Sequence, residues 1–483
     1  MNGHQLKGLG FPPCKEFGEA LKLANEMEKN GEPKETVETA VLKMMPPPKL
    51  EMGKSKGFTE AIEIEGPYDE ENLKSVRKLM NELMGCPVVL GGTVMPDACP
   101  AGSAAATIPV GGAIVVDNAI IPGAHSADIC CSMYATFFET SMADEVILDN
   151  ALKRCHFGYG GKERDTPLMS PLWGENINWK NPFMEGLEEI SDSHMGTSGD
   201  GNHFVFLGTQ LVTQGLLSRL HQNYPDLWDQ LCMYMNQKIK VLVTHHGSRN
   251  FGAQVYKRGV KVAKKITNKI AKNIPKACQW IPYDTQEGKD YWEALGYVRM
   301  WTKANHINIH NLVLRESAPI ASFGNEHNFV WKRGDKFYHG KGATPAWPQE
   351  NGKPRLGLIP MNMKDGILLT LGKNSEKHLS FAPHGAGRNM SRTQTLKPFI
   401  KENGEINEIK MEEALKRETE GIDVRWFSGK PDLSETPMGY KPAKQIIKQI
   451  EKFELAEILG TIEPIGCIMA GKMDNPWDKK NKK

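Results

Sequence analysis

The sequence has no hydrophobic run long enough to cross a bilayer, since its least polar stretch, residues 101–116, is broken by glycine and proline. It has no excess of either charge, because 60 basic and 58 acidic side chains leave a net charge of +2. Its nine cysteines are odd in number and irregularly spaced, which argues against a disulfide framework. The N-terminus lacks the basic start and apolar block of a secretory signal. We therefore expect a cytoplasmic protein with free thiols and no membrane partner, whose affinity for nucleic acid, if any, comes from local patches.

The composition is that of an ordinary globular protein. Hydrophobic residues make up 40% and charged residues 24% of 483 positions, which excludes a wholly disordered, collagen-like or coiled-coil chain. The length is compatible with one large domain or with two to three smaller ones. Apolar spacing predicts an amphipathic helix over residues 15–30, a second helix that ends at Gly85, and a buried strand at residues 87–90. From residue 91 to residue 138, short apolar runs alternate with glycine and proline, a pattern typical of strands and functional loops.

A strongly basic helix is predicted over residues 256–278. This segment contains eight lysine or arginine residues and no acidic residue, while Val262, Ala263, Ile266 and Ile270 form an apolar stripe. The basic face is either a solvated helix surface or a surface that follows a phosphate backbone. The helix alone does not distinguish the two interpretations.

The first segment with potential chemistry contains Asp128 and Cys131, which lie three residues apart after a Pro-Gly turn. A carboxylate and a thiolate are both anionic ligands and can share a divalent cation. Aspartate also caps turns, and cysteine is among the most frequently buried residues. The pair alone is therefore compatible with a metal site or with ordinary packing.

Two further segments combine glycine with polar side chains. In residues 196–204, three glycines precede Asn202 and His203, so backbone N–H groups could approach an anionic ligand, although no Lys-Ser/Thr follows as in a P-loop. In residues 244–252, an apolar strand ends in two histidines, a serine and Arg249, whose guanidinium could bind phosphate in a bidentate manner. Either segment could equally be a turn capped by polar side chains.

A fourth segment, residues 382–392, places His384 before small residues and before Arg388 and Arg392. An imidazole beside two guanidinium groups is suited to nucleophilic attack at phosphorus, because the cations disperse charge on the phosphate oxygens. Two more segments, Glu-His-Asn at residues 326–328 and His-Gly-Lys-Gly-Ala-Thr at residues 339–344, supply further ligand chemistry.

Taken in order, these six segments resemble the RtcB-type RNA ligase family, the tRNA-splicing ligases that join a 3′-phosphate or 2′,3′-cyclic phosphate end to a 5′-hydroxyl end. The strongest pieces are GDGNHF, HHGSRNFG, HGKGAT and HGAGRNMSR. The resemblance implies a mixed α/β (α+β) fold, a single large domain of central β-sheets flanked by helices. It places a helical N-terminal extension at residues 1–84, the catalytic domain at residues 85–472 and a basic, disordered tail at residues 473–483.

The resemblance also implies which residues form the site. Two manganese ions would be held by Asp128, Cys131, His203, His245 and His327, with His203 shared between the ions. His384 would be the catalytic residue that accepts GMP from GTP. Contacts to the nucleotide would come from Asn202, His203, Phe204, Val205, Phe206, His327, Asn328, Pro360, Met361, Asn362, Met363, Gly385, Ala386, Gly387 and Lys472.

Several positions depart from the family's pattern. Residues 360–364, Pro-Met-Asn-Met-Lys, replace a loop with glycine and a small polar residue, and Phe206 stands where a glutamate is common. Lys472 is the nearest replacement for a lysine that touches guanine, and Cys130 replaces an asparagine. Asp97 and Cys99, in Met-Pro-Asp-Ala-Cys-Pro, replace an Asp-Val-His pattern. The departures indicate a divergent, bacterial-like branch, and they bear on guanine recognition more than on metal binding.

We therefore predict a GTP- and manganese-dependent RNA ligase, active in RNA repair or tRNA splicing, that works through a GMP-histidine intermediate. Water would open a cyclic phosphate, GMP would pass from His384 to the RNA 3′-phosphate, and the 5′-hydroxyl would displace GMP. Two alternatives are a metal-dependent phosphoesterase acting on RNA ends and a non-catalytic protein that binds RNA ends. The sequence leaves open which RNA is the substrate and whether a helper protein takes part.

Overall fold

The chain contains both helices and strands in the computed structural model, which describes residues 1–100, 108–174 and 176–473. The tail predicted for residues 473–483 lies, from residue 474 onward, outside the described residues. The helices are α1 (Gly3–Gly8), α2 (Phe17–Lys29), α3 (Lys34–Lys43), α4 (Pro67–Met84), α5 (Asp144–Arg154), α6 (Glu188–His194), α7 (Gln214–Asn223), α8 (Pro225–Leu231), α9 (Arg249–Ile270), α10 (Gln286–Leu314), α11 (Arg392–Leu396), α12 (Glu408–Glu418) and α13 (Ala443–Lys452). The strands are β1 (Thr59–Glu60), β2 (Val89–Cys99), β3 (Val110–Asp117), β4 (Ala119–Ile120), β5 (Ser132–Glu139), β6 (Phe204–Leu211), β7 (Lys238–His246), β8 (Ile281–Pro282), β9 (Ala318–Glu326), β10 (Asn328–Arg333), β11 (Lys336–Lys341), β12 (Ala343–Pro345), β13 (Leu356–Asn362), β14 (Gly366–Gly372), β15 (Phe381–Pro383), β16 (Asp423–Trp426) and β17 (Ala456–Met469).

The first 51 residues, with residues 269–272, form the smaller of two compact units. Helices α1 to α3 enclose a small core made of Leu6, Phe11, Ala20, Ala24, Val37 and Val41. The amphipathic helix predicted at residues 15–30 is confirmed as α2, which buries Ala20 and Ala24 at the expected four-residue spacing. The domain boundary expected after residue 84 stays a prediction.

In the larger unit, an eight-stranded sheet has the order β13-β14-β17-β6-β7-β5-β9, with β16 paired in parallel to β17. Neighbouring strands along this order are antiparallel. Side chains alternate between the two faces, so Phe206 packs on the side covered by α7 and α8, whereas Val205 and Leu207 pack against α5 and α10. Helices therefore bury both faces of this sheet.

A five-stranded sheet of the same unit has the order β1-β2-β3-β11-β10, and α4 packs on β2. The short pair β12 and β15 carries the chain into the segment that begins at His384. These sheets and their flanking helices confirm the mixed α+β class. Among the described helices, none combines the length and the apolar character that a bilayer span needs.

The predicted basic helix exists, with different ends. Helix α9 begins at Arg249 and ends at Ile270, so Lys272 and Lys276 lie beyond it. Asn273 follows with a left-handed φ of 56°, and Pro275 cannot continue a helix because it has no backbone N–H. The basic helix therefore ends earlier than the run of basic residues from 256 to 278 suggests.

Candidate active site

Four predicted metal ligands lie at one edge of the eight-stranded sheet. Cys131 immediately precedes β5, His203 immediately precedes β6, and His327 immediately follows β9, while His245 is next to last in β7. The antiparallel register places the start of β5 beside the ends of β7 and β9, and the start of β6 beside the end of β7. Strand pairing thus brings together residues that are far apart in sequence.

The side chains at this edge are in direct contact. The Cys131 thiol lies 3.4 Å from Nε2 of His203 and 3.2 Å from Nε2 of His245. Nε2 of His245 lies 3.2 Å from Nε2 of His327, and Nε2 of His203 lies 3.2 Å from a carboxylate oxygen of Asp128. All five predicted metal ligands therefore form one cluster, in which the sulfur atom lies between two imidazoles.

A glycine permits the approach of Asp128. A Cβ atom at Gly247 would lie 2.0 Å from a carboxylate oxygen of Asp128, which is closer than any non-bonded contact allows. The glycine of the HHGSR segment is thus required by the position of the carboxylate.

Burial sets the protonation of the cluster. It lowers the pKa of His245 and of His327 well below the ordinary value, with further lowering by neighbouring imidazoles, so both rings are neutral near pH 7. Burial raises the pKa of the Cys131 thiol well above its usual range, and the Asp128 carboxylate raises it further. Burial also raises the pKa of Asp128, but the His203 imidazole more than offsets this effect and lowers it to about 2.

The donor atoms of this cluster fit a metal cation. Nδ1 of His245 donates to the carbonyl of Asn202 at 3.0 Å, which leaves the lone pair of Nε2 directed into the cluster. Nε2 of His327 lies 3.2 Å from this lone pair, so either a proton carried by His327 or a cation lies between the two nitrogens. Sulfur, imidazole nitrogen and carboxylate oxygen together suit a divalent transition metal.

His384 lies next to this cluster, with its ring centre 4.8 Å from that of His327. Its Nδ1 lies 2.5 Å from a carboxylate oxygen of Asp97 and 3.1 Å from the carbonyl of Gly342. Both partners are acceptors, so Nδ1 carries the proton and Nε2 keeps its lone pair. The Asp97 side chain is fully buried, whereas that of His384 is 15% exposed. The arrangement orients one reactive nitrogen.

Asp97 was not among the predicted site residues. The sequence drew attention to it only as a departure in Met-Pro-Asp-Ala-Cys-Pro, and nothing local links it to a histidine 287 positions away. One feature indicated that Asp97 has a partner. It lies in a mostly apolar strand that is buried on both sides, and a buried carboxylate needs a partner.

A cavity of about 300 Å³ opens beside His384. Phe206, Ile367 and Met469 belong to the apolar core that borders the cavity, while Lys341, Arg388 and Arg392 supply positive charge. The predicted nucleotide-contact residues that line it are Asn202, Phe204, Phe206, Pro360, Met361, Asn362, Met363, Gly385, Ala386 and Gly387. The cavity, hereafter the first cavity, is thus lined by apolar side chains together with three cationic side chains and the carboxylate of Glu435.

Other predicted nucleotide contacts lie outside the lining of the first cavity. Val205 points to the opposite face of the sheet, where it is fully buried. The Asn328 side chain donates to the carbonyl of Asp128 at 3.3 Å and accepts from the backbone N–H of Gly342 at 2.8 Å, so its amide joins two loops. His327 is buried within the cluster of predicted metal ligands.

His203 and Lys472 line a second cavity, of about 610 Å³. Asp128, Tyr159 and Arg249 line the same space. Strand β17 ends at Met469, which borders the first cavity, and Lys472 follows three residues later in the second cavity. Asn202 and Arg392 border both cavities.

A buried carboxylate fixes the two arginines of the HGAGR segment. Glu435 accepts from Nε of Arg392 at 2.5 Å and lies 3.3 Å from Nη1 of Arg388. The hydroxyl of Tyr440 donates to the same carboxylate at 2.6 Å, and burial raises the pKa of this tyrosine well above its usual range. Both guanidinium groups are therefore held in place before any anion binds.

Lys441 supports the loops on either side of His384. Its ammonium group is fully buried, lies 2.9 Å from the carboxylate of Asp69 and donates to the carbonyl of Pro96 at 2.9 Å. Its backbone N–H donates to the carbonyl of Gly387 at 3.0 Å. One residue thus ties the strand that carries Asp97 to the loop that follows His384.

We expect Lys441→Met to lower the free energy of unfolding by about 3–5 kcal/mol, because the substitution leaves the Asp69 carboxylate buried without its cation. Urea denaturation followed by circular dichroism measures the change. The double variant Lys441→Met/Asp69→Asn should recover part of the loss, because it removes the orphaned charge. Equal losses in the single and the double variant would contradict the assignment.

The chain was compared with known proteins. A family model described as tRNA-splicing ligase RtcB matches residues 176–470. The RNA-splicing ligase RtcB of Escherichia coli (strain K12) is 23% identical over 397 aligned residues, covering 74% of this chain and 86% of that protein. The tRNA-splicing ligase RtcB of Pyrobaculum aerophilum is 24% identical over 433 residues, covering 74% and 84%. That of Pyrococcus horikoshii is 26% identical over 357 residues, covering 67% and 38%.

Proposed function

The chain belongs to the tRNA-splicing ligase RtcB family, and on that premise we propose that it is an RNA ligase dependent on GTP and manganese. Its substrates would be an RNA end with a 3′-phosphate or 2′,3′-cyclic phosphate and an RNA end with a 5′-hydroxyl. The observation that carries the proposal is the oriented Nε2 of His384, whose ring lies beside the cluster of predicted metal ligands and lines a cavity with cationic side chains. RNA repair and tRNA splicing are the processes that such an activity would serve, in the cytoplasm.

In the first step of the proposed reaction, Nε2 of His384 attacks the α-phosphorus of GTP. A nitrogen–phosphorus bond forms, the bond from the α-phosphorus to the bridging oxygen breaks, and pyrophosphate leaves with the electron pair. Asp97 and the Gly342 carbonyl hold the Nδ1 proton, so the lone pair stays on Nε2 and the positive charge that develops on the ring is stabilised.

Two manganese ions would be held by Asp128, Cys131, His203, His245 and His327, and the short distances among their donor atoms support this assignment. When bound, such ions would polarise phosphate oxygens and stabilise the charge that develops during transfer. The thiol of Cys131 lies 3.4 Å from Nε2 of His203 and 3.2 Å from Nε2 of His245, so these three donors would act together in holding metal. The neutral imidazoles of His245 and His327 and the ionised carboxylate of Asp128 need no proton release to bind, whereas the thiol does.

Cationic side chains of the first cavity would bind the triphosphate. Lys341 lines the cavity next to the Gly342 carbonyl that contacts His384, and burial lowers its pKa to about 8. Arg388 and Arg392 line the same cavity. Many of its other lining side chains are apolar, including Phe204, Phe206 and Met361, and would contact a base without selecting it, so the choice of GTP follows from the family resemblance.

The second cavity is proposed to take the 3′ end of the RNA. It contains Asp128 and His203 of the metal cluster and the guanidinium of Arg249, and it shares Asn202 and Arg392 with the first cavity. An RNA 3′-phosphate there would lie next to the nucleotide. After water opens any cyclic phosphate, this phosphate attacks the phosphorus of the adduct and displaces Nε2 of His384. The 5′-hydroxyl then attacks the RNA phosphorus, and GMP leaves.

We expect Asp97→Asn to slow formation of the nucleotide adduct by about 10²–10⁴-fold, because an amide no longer favours the tautomer with the proton on Nδ1. Single-turnover labelling with GTP carrying ³²P at the α-position gives the rate, and nucleotide titration gives the affinity, which should change little. Asp117→Asn, at an exposed aspartate, is the matched control. A rate within threefold of the wild type would contradict the role of Asp97.

The function itself is tested by two assays on the purified protein with manganese. One detects an acid-labile nucleotide adduct on His384, and the other detects joining of an RNA 3′-phosphate to a 5′-hydroxyl RNA. Phosphate release from RNA ends without an adduct would instead favour a metal-dependent phosphoesterase. RNA-end binding with neither activity would favour the non-catalytic alternative.

A further inference from the structure

One face of helix α9 carries Lys257, Lys261, Lys264 and Lys265, all exposed. Their spacing of four, three and one residues places them on a single side of the helix. Within the described residues, the lysines that form ion pairs with carboxylates lie elsewhere in the chain. The four ammonium groups therefore form a surface, here called the lysine face, without acidic partners in the described structure.

Packing fixes the direction of this face. The other side of α9 buries Phe251, Val255, Gly259, Ala263 and Thr267. A Cβ atom at Gly259 would lie 2.5 Å from ring atoms of Tyr291 in α10, so the helix backbone packs directly on that ring. The hydroxyl of Thr267 also bonds to the backbone of Trp280 on both its donor and acceptor sides. The helix cannot rotate without losing these contacts, and the lysines must point to solvent.

The helix starts at the second cavity. Arg249, its first residue, and Ala253, one turn later, both line that cavity together with Asp128 and His203. Lys257 comes one turn after Ala253, and the lysine face continues for about 12 Å to Lys265 at 1.5 Å per residue. The face is thus a continuation of the cavity wall, directed away from the metal cluster.

We propose that the lysine face binds the phosphate backbone of the RNA strand whose 3′ end occupies the second cavity. The inference rests on the proposed function, which supplies a strand that must leave that cavity. About 12 Å of helix covers the axial rise of three to four phosphates of one duplex strand, at roughly 3.4 Å each. Binding is electrostatic and independent of base sequence, because the face offers ammonium groups and no planar side chains for stacking.

Other occupants fit the lysine face less well. Lysine is depleted in the cores of protein–protein interfaces, and this face has few exposed apolar groups to form such a core. A membrane-binding basic helix inserts its apolar side into the lipid, whereas the apolar side of α9 is already buried against α10 and its neighbours. An RNA backbone requires only the charge, the exposure and the position that are present.

The test compares two quadruple variants of the full chain. In the first, Lys257, Lys261, Lys264 and Lys265 become glutamine; in the control, the exposed lysines Lys397, Lys401, Lys410 and Lys416 become glutamine. Binding of a 3′-phosphorylated RNA of about 20 nucleotides is measured against salt concentration. The slope of log K against log salt should decrease by about 2–3 in the first variant, at about 0.7 per lost contact to a single strand. Affinity at low salt should fall at least tenfold, and the control should match the wild type.

Two further measurements separate this inference from the proposed function. Adduct formation with GTP and manganese, in the absence of RNA, should be the same in both variants and in the wild type. Ligation of an RNA donor of two or three nucleotides should also be unaffected, because so short a strand does not reach the lysine face. If the wild type forms no adduct, the ligase proposal is wrong, whereas the lysine-face proposal is not affected. An unchanged salt slope, or an equal change in the control, would overturn the lysine-face proposal alone.

Discussion

Replacing His384 with alanine is expected to reduce nucleotide-adduct formation and RNA joining to less than about one thousandth of the wild-type rate. The substitution removes an imidazole that lines the first cavity and whose Nδ1 is held by the carboxylate of Asp97. His327 cannot replace it, because this ring is buried and its Nε2 faces His245. Labelling with α-³²P GTP and joining of end-defined RNA strands measure the two losses.

The control for this variant is His221→Ala, at an exposed histidine of α7, which should retain both activities. Manganese binding and RNA binding should persist in His384→Ala, because none of the five metal ligands and none of the lysines of α9 is changed. Full sealing activity in this variant would exclude His384 as the nucleophile. Retained phosphate release would point to the phosphoesterase alternative.

Replacing Cys131 with alanine is expected to lower manganese affinity by more than about 100-fold and to abolish adduct formation. Removal of a residue that only hydrogen-bonds to a metal ligand typically costs about 10–100-fold in affinity, and removal of a ligand itself should cost more. The thiol contacts imidazoles on both sides, so its removal opens the centre of the cluster. The fold should survive, because the substitution removes one buried atom at the edge of a sheet that is packed on both faces. Calorimetric titration with manganese and urea denaturation measure the two properties.

A matched control for this variant is Cys155→Ala. Cys155 is also a buried thiol, and it packs in the apolar core between the sheet and helices α5 and α10, away from the cluster. Both variants lose the same atom from a buried site, so their unfolding free energies should fall by similar amounts, while manganese affinity should fall in Cys131→Ala alone. Equal manganese affinity in the two variants would remove Cys131 from the ligand set.

The family resemblance, and not the pattern of strands, supplied the predicted ligand set, because the sequence alone showed only an apolar strand that ends at His245. In the structure Cys131, His203 and His245 lie at strand termini, and the antiparallel register brings those termini together. Strand alternation also explains why Val205 does not line the first cavity, because it cannot face the same side of the sheet as Phe204 and Phe206. Applying this period to residues 204–206 would have separated the two outer residues from the central one.

The supporting contacts could not be predicted in this way. Asp97 meets His384 across 287 positions, and the ammonium of Lys441 meets Pro96 across 345. Such contacts depend on how β2 lies beside the segment after β15, and this arrangement has no local periodicity to reveal it. The ends of α9 were misplaced for a different reason, because a run of basic residues continues past the point where the backbone at Asn273 leaves the helical region.

Asn202 and Arg392 border both cavities, so the partition between them is formed in part by two polar side chains. A single guanidinium cannot direct its full charge to phosphates on both sides at once. Under the proposed function, occupancy of one compartment would therefore alter affinity in the other, and by thermodynamic reciprocity each ligand would change the other's binding by the same factor. Arg392 would then link the binding of nucleotide and of RNA strand as a side chain that both compartments share.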